Sequence, residues 1–209
     1  MGLFLSFEGI EGSGKSTQAR LLAESLASEG YDVVLTQEPG GTAIGERIRA
    51  LLLDPAHTEM CPAAELLLYA AARAQHLEQK IRPALARNAV VITDRFSDST
   101  VAYQGYARGI DRGLLDSVDA VATGRLRPDV TILCDLPAEA GLQRNREINK
   151  RDRLELEAVA FHRKVREGFL QLAAAEPERV RIIDAGQPVD AVAADVARIV
   201  TERLWALTK

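Results

Sequence analysis

Leu3-Phe4-Leu5-Ser6-Phe7-Glu8-Gly9-Ile10-Glu11-Gly12-Ser13-Gly14-Lys15-Ser16-Thr17 is the stretch that decides the fold. Its first six residues are apolar almost without a break, as in a strand covered on both faces. Residues 9–16 then match the pattern Gly, any four residues, Gly-Lys-Ser/Thr. From Lys15 to Glu29 the pattern turns helical, and Gly30 is a natural residue to end that helix. Strand, glycine-rich loop and helix are the context in which this motif works. The glycines let backbone N–H groups wrap a phosphate at a helix N-terminus. In that arrangement Lys15 reaches the β- and γ-phosphates, Ser16 ligates Mg²⁺ and Thr17 adds a phosphate contact. Gly9, Ile10, Glu11, Gly12, Ser13, Gly14, Lys15, Ser16 and Thr17 are thus the expected ATP-binding set.

Working outward, four more buried-strand patterns fall at Asp32–Thr36, Ala89–Thr93, Asp129–Asp135 and Val180–Ile183. Helical patterns lie between them: Ala43–Leu53, Ala63–Arg87 with a kink expected at Pro83, Ser97–Ala107, Asp111–Thr123, Ala138–Arg146, Arg153–Ala175 and Val189–Leu207. Alternating strands and helices predict an α/β, three-layer P-loop NTPase fold with a five-stranded parallel sheet flanked by helices. No internal repeat or long linker divides the 209 residues, so one domain over 1–209 is expected. In such sheets ligands bind beyond the carboxyl ends of the strands.

The apolar fraction of 47% and charged fraction of 27% are those of an ordinary globular protein. A net charge of −4 gives no electrostatic reason to expect nucleic acid or an anionic membrane as partner. Two distant cysteines, Cys61 and Cys134, form no metal-like or disulfide pattern. No apolar run approaches the length of a membrane span. A cytoplasmic protein is expected.

The loops after the second and third strands carry the next signals. Thr36-Gln37-Glu38-Pro39-Gly40-Gly41-Thr42 reads on its own as an ordinary Pro-Gly turn. Asp94-Arg95-Phe96 puts an acid and an arginine at the end of a buried strand, where a phosphate and its metal would lie. Arg95 can grip a phosphate with two N–H groups; Asp94 can hold a Mg²⁺-bound water or orient Arg95. A surface ion pair fits the same residues. Tyr69 and Arg73 lie four apart on one helix face, a pattern also met in plain structural pairs.

Taken together, these segments resemble the bacterial thymidylate kinase family. The resemblance rests on Phe7-Glu-Gly-Ile-Glu-Gly-Ser-Gly-Lys-Ser-Thr-Gln, Glu38-Pro-Gly-Gly-Thr, Tyr69-Ala-Ala-Ala-Arg73-Ala-Gln-His, Asp94-Arg-Phe with Ser99-Thr-Val-Ala-Tyr-Gln104, and Asp152-Arg-Leu-Glu155, in order over nearly the whole chain. It implies transfer of the γ-phosphoryl group of ATP to dTMP, giving dTDP for dTTP synthesis, with Mg²⁺ bound near Ser16 and Asp94. It implies that Arg95 binds the acceptor phosphate and that Glu11 faces the 3′-hydroxyl. Tyr69 would stack on thymine where the family usually has Phe, and Arg73 would bond a base carbonyl. Ser99, Thr100 and Gln104 would lie around the base, with Glu38 and Pro39 in the same acceptor site. Tyr103 would fill the position of a 2′-hydroxyl, excluding ribonucleotides by clash. Gln37 departs from the family's usual Arg at that point and carries no charge.

Arg144-Asn-Arg146-Glu-Ile-Asn-Lys150-Arg151-Asp152-Arg153 is the densest basic stretch in this acidic chain. Alone it reads equally as a solvated helix connection. In the resemblance it is a lid, about 144–153, of the subgroup that lacks an Arg inside the P-loop and supplies basic residues from the lid. Arg153 is the expected catalytic lid arginine, so Arg153→Ala should chiefly lower kcat; Arg144 is expected at the ATP. Gln187, after the fifth strand, is expected near adenine by position. With Lys15, Asp94 and Arg95 this makes the expected catalytic set Lys15, Asp94, Arg95 and Arg153. The resemblance also suggests a homodimer; the Ala/Leu-rich helix 63–87 suits that face and suits burial in its own core equally. Two rivals stay open on the residues: a kinase for another nucleotide or for a deoxynucleoside, and a nucleotide-dependent switch with no small acceptor.

Overall fold

The computed structural model describes residues 2–147 and 152–207. Its centre is a five-stranded, wholly parallel sheet in the order β2-β3-β1-β4-β5. The strands are β1 (Leu3–Glu8), β2 (Val33–Gln37), β3 (Val90–Asp94), β4 (Val130–Asp135) and β5 (Val180–Asp184). β2, β3 and β4 each begin one residue later than the apolar runs suggest, and β2, β3 and β5 each run one residue further. Polar Gln37, Asp94 and Asp184 therefore end strands, and it is there that the site begins.

β1 is buried along its whole length. Its side chains alternate between faces. Leu3, Leu5 and Phe7 pack with Leu22 and Leu26 of α1 (Lys15–Ser28) and with Val196 and Ile199 of α9 (Val189–Leu207). Phe4 points to the opposite face, against Ile81, Ala84 and the edge of the Phe96 ring. Helices on both faces make the three layers the patterning predicts. No helix among the described residues is long and apolar enough to cross a membrane.

The expected helix 63–87 is α3 (Pro62–His76), π-helical turns over 77–81, and α4 (Arg82–Ala86). The chain stays helical across Pro83. The π-turns widen the ladder just before the proline, so its missing N–H breaks no regular bond. A second widening follows α5 (Ser97–Thr100): residues 101–107 are π-helical, and Tyr103 and Gln104 are both buried although adjacent. α2 (Ala43–Leu53), α6 (Arg112–Thr123) and α7 (Ala138–Glu147) fall close to expectation. The expected helix 153–175 does not start at Arg153. α8 spans Val159–Ala175, and residues 152–157 form turns clamped onto the end of α2.

The chain leaves β1 for the edge strand β2, returns to β3 and then crosses β1 to reach β4. The ends of β1 and β3, where the order reverses, are where an open parallel sheet binds ligands. The register sets Phe7 opposite Asp94, and Asp94 opposite Gln37.

Candidate active site

The loop after β1 closes into a cradle that only glycine can build. Gly12 has φ 73°, and a Cβ there would lie 2.1 Å from the Gly141 carbonyl oxygen. Gly9 has φ 140°, with the Cys134 carbonyl 2.5 Å from any Cβ. The loop is thus pressed against both β4 and α7. Ser13 is buried, Ile10 is sealed in the core below, and Gly14 opens α1. The Lys15 ammonium donates to the Ile10 carbonyl at 2.7 Å and to Ser13 Oγ at 3.4 Å. Burial first, then Arg95, brings its pKa down to about 8. Ser16 and Thr17 face the cavity above, and the Ser16 hydroxyl donates to Asp94 Oδ2.

That cavity measures about 480 Å³ and runs from the P-loop to the side chains after β2 and β3. Glu38 and Pro39 line it, with Glu38 held by Arg73 Nε at 2.9 Å and His76 Nδ1 at 3.0 Å. Arg95 has φ 72°, a left-handed backbone that a non-glycine residue adopts only when its surroundings impose it. Its N–H donates to the Phe7 carbonyl. Its guanidinium donates to the Gly9 carbonyl, Ser99 Oγ, Glu11 Oε1 and the Tyr103 hydroxyl, all within 3.1 Å. Burial pushes the Glu11 carboxyl up, but Arg95, His162 and Lys15 outweigh it and hold it well below the usual carboxylate range. Burial raises the Tyr103 phenol well above its ordinary value, so it stays protonated and donates to Glu11 at 2.5 Å. Beneath Arg95, Glu8 accepts from Phe96 N–H and Ser99 Oγ; burial and then Asp98 raise its pKa to about 7.

Tyr69, Arg95 and Leu154 line this cavity and also a narrow second pocket, of about 30 Å³, closed by Ser99, Thr100, Tyr103 and Gln104. Two compartments therefore share one wall. Arg73 stands one layer behind it, with its guanidinium engaged by Glu38, Asp119, the Phe96 carbonyl and Thr100 Oγ1. In this structure Arg73 supports the pocket through Thr100 rather than lining it.

On the lid side, Arg144 lines the cavity and donates to the Gly12 and Ala185 carbonyls. Arg146 is exposed, and Lys150 and Arg151 lie outside the described residues. Arg153 differs from expectation. Its side chain is only 9% exposed, donating to the Leu52 carbonyl at 2.8 Å and paired with Glu65. Leu52 and Leu53 are the last residues of α2, whose terminal carbonyls need donors. Arg153 supplies them, from its side chain to Leu52 and from its backbone N–H to Leu53. Gln187 also turns from the cavity, to the Asp184 carbonyl and the Asp195 carboxylate.

Sequence reasoning misses Arg49 and Glu65. Arg49 lines the cavity and donates to the Pro39 carbonyl at 2.8 Å. Nothing local separates it from exposed Arg47. Glu65 follows Pro62 in the first turn of α3, where an acid reads as a helix-start residue. Only tertiary structure reveals it as a buried carboxylate.

A glycine-built loop of this sequence, opening into a cavity that Arg49 and Arg95 also line, is the arrangement of the P-loop kinases. These enzymes pass a phosphoryl group between two bound molecules. Comparison with known proteins narrows the class. The family model described as thymidylate kinase matches residues 7–196. The thymidylate kinase of Geobacter sulfurreducens is 50% identical over 98% of this chain and 99% of its own length. That of Pseudomonas fluorescens is 56% identical over 90% of each. The crystal structure of thymidylate kinase from Ehrlichia chaffeensis superposes with a TM-score of 0.78, at 35% identity, over 96% of this chain and 98% of that one. The chain belongs to the thymidylate kinase family.

Proposed function

We propose that the joined cavities carry out the family's reaction, transfer of the γ-phosphoryl group of ATP to dTMP to give dTDP, within one kinase domain over 1–209. The observation that carries this reading is Arg95: one partly buried guanidinium lines both compartments and lies against Glu11 of the P-loop. On this reading the P-loop and Lys15 hold the migrating phosphoryl group, and Arg95 and Arg49 hold the acceptor phosphate. The base lies against Tyr69 where the two compartments meet, with its edge toward Thr100 and Gln104 of the narrow pocket. Glu11 meets the sugar, and Tyr103 occupies the space a 2′-hydroxyl would need. No side chain need act as a strong base, because the attacking atom is already a phosphate oxygen. Catalysis is positioning and charge neutralisation.

Mg²⁺ fits the donors present. Ser16 Oγ and Asp94 Oδ2 are hard oxygen ligands that touch each other at the cavity's edge. No cluster of three acidic, His or Cys side chains exists among the described residues, which suits an ion held mainly by phosphates and water. When bound, the ion supplies charge to the bridging phosphate oxygens. In this reading Arg144, which faces the P-loop, is the lid arginine supported by geometry, with the lid spanning about 144–153. The family role of Arg153 would require it to leave Glu65. The enzyme is proposed to work in the cytoplasm, where the free thiols Cys61 and Cys134 are stable. It is proposed to be a homodimer through the apolar faces of α3 and α6.

A coupled assay of ADP release across dTMP, dUMP, dCMP, dGMP and thymidine tests the reading. Preference for dTMP is expected. Preference for thymidine, or ATP turnover that ignores every monophosphate, would overturn it.

A further inference from the structure

Glu65 is a buried carboxylate that joins Gln104 of the narrow pocket to Arg153 on the lid side of the molecule. It is 1% exposed, and its Oε1 accepts from Gln104 Nε2 at 2.8 Å and from Arg108 Nε at 3.3 Å. Its Oε2 accepts from Arg108 Nη2 at 3.2 Å and from Arg153 Nη2 at 2.5 Å. Burial alone would raise its pKa, but the hydrogen bonds from Gln104, Arg108 and Arg153 outweigh it, and the carboxyl is held below its ordinary range.

An ionised carboxylate only accepts hydrogen bonds, whereas a glutamine amide has one face that donates and one that accepts. The Gln104 NH₂ must therefore face Glu65, and the amide oxygen is the atom left for the pocket that Gln104 lines. Gln104 is itself 1% exposed and sits in the π-widened stretch 101–107, so its stem has little room to re-aim. An acceptor fixed in a narrow pocket rejects a ligand that presents another acceptor to it, because two buried lone pairs then face each other unpaired.

We propose that Glu65 is a positioning residue for substrate choice: it locks the Gln104 amide with its oxygen toward the base, so that the site takes pyrimidines bearing a ring N3–H and turns away those with a bare N3. Glu65 touches no substrate, and the inference rests on reading the narrow pocket as the base site of dTMP. The two arginines make the lock directional. In Glu65→Gln, Arg108 and Arg153 claim the new amide's oxygen, and its NH₂ turns to Gln104. Gln104 then rotates to accept, and shows its own NH₂ to the pocket.

The test compares dTMP with 5-methyl-dCMP, which differs only at N3 and the neighbouring exocyclic group, using the full-length protein with ATP. In Glu65→Gln, the kcat/KM ratio of dTMP to 5-methyl-dCMP is expected to fall by at least about tenfold. Both sides contribute: KM for dTMP rises and turnover of 5-methyl-dCMP appears. A purely structural role would lower both substrates together, so a ratio within about twofold of the wild type overturns the proposal. If Glu65→Gln does not fold, the double variant E65Q/R153Q, which removes both charges of the buried pair, is judged on the same ratio. Wild-type protein that fails to phosphorylate dTMP would instead overturn the functional reading, before any variant is compared.

Discussion

Lys15 is held where its charge is disfavoured until a phosphate arrives. Burial first, then Arg95, depresses its pKa from 10.5 to about 8. A folded-state pKa below the unfolded value contributes stability that is present above 10.5 and lost as pH falls through about 8. At pH 7 the charged lysine therefore weakens the fold, and a bound triphosphate removes that penalty by raising the pKa again. ATP binding near pH 8.5 is expected to take up a proton. Calorimetric titrations in buffers of different ionisation enthalpy measure this, and identical heats in all buffers would rule it out. Arg95 allows a second prediction at this scale. Its four partners use both ends of the guanidinium fork, which an ammonium cannot copy. Arg95→Lys is expected to lower kcat/KM for dTMP about a hundredfold, or ~3 kcal/mol. ATP affinity, measured by titration without acceptor, is expected to change less than threefold. Residues of this kind are legible in sequence because chemistry restricts them: a phosphate loop needs its glycines and lysine, and an arginine after a buried strand is conspicuous. Glu65 and Arg49 are not, since an acid in a helix's first turn and an arginine on an amphipathic helix look ordinary until the fold buries them.

Elements were legible to the extent that local pattern governs them. The five strands and most helices fall within a residue or two of where apolar runs place them, because parallel strands covered on both faces leave no ambiguity of pattern. The segment 152–157 is the exception. Its composition favours helix, but Asp152 Oδ1 takes the N–H groups of Leu154 and Glu155, while Arg153 is spent on the carbonyl end of α2. Tertiary partners override propensity there. The same fact separates two lid arginines by experiment. Arg153→Ala leaves Glu65 buried with fewer donors and the Leu52 carbonyl of α2 without its side-chain donor, while the backbone bond to Leu53 stays, so a loss of about 3 kcal/mol in urea unfolding is expected, whatever happens to kcat. Arg144→Ala removes an exposed side chain that, among the described residues, reaches the Gly12 and Ala185 carbonyls. Stability within ~0.5 kcal/mol of the wild type is expected, with kcat reduced at least tenfold. An Arg153→Ala protein of unchanged stability would restore Arg153 as a free lid side chain.

At the scale of the whole molecule, the sheet explains where catalysis happens but leaves one surface unexplained. Between α3 and α6 runs an apolar groove of about 440 Å³, lined by Leu67, Ala70, Ala71, Ala74, Val118 and Val121. Val121 is 88% exposed and Leu67 59%. A Val so exposed beside an alanine-lined channel is the apolar surface on which the proposed homodimer would pair. In the sequence this face could not be told from core, because an alanine- and leucine-rich helix packs equally well inward or against a second copy. The position of α3 adds a consequence. The helix that carries Tyr69, Arg73 and Glu65 on its site-facing side carries Leu67, Ala71 and Ala74 on the groove side. Pairing two chains here would clamp the helix that holds the base pocket. Val121→Glu is therefore expected to convert a dimer into a monomer by sedimentation velocity. It should also abolish the dependence of Tm on protein concentration that a dimer shows. KM for dTMP is expected to rise severalfold while ATP binding at the P-loop, which the groove residues do not line, is preserved. A wild-type protein that sediments as a monomer at working concentrations would refute the pairing, and with it the link from this groove to the base pocket.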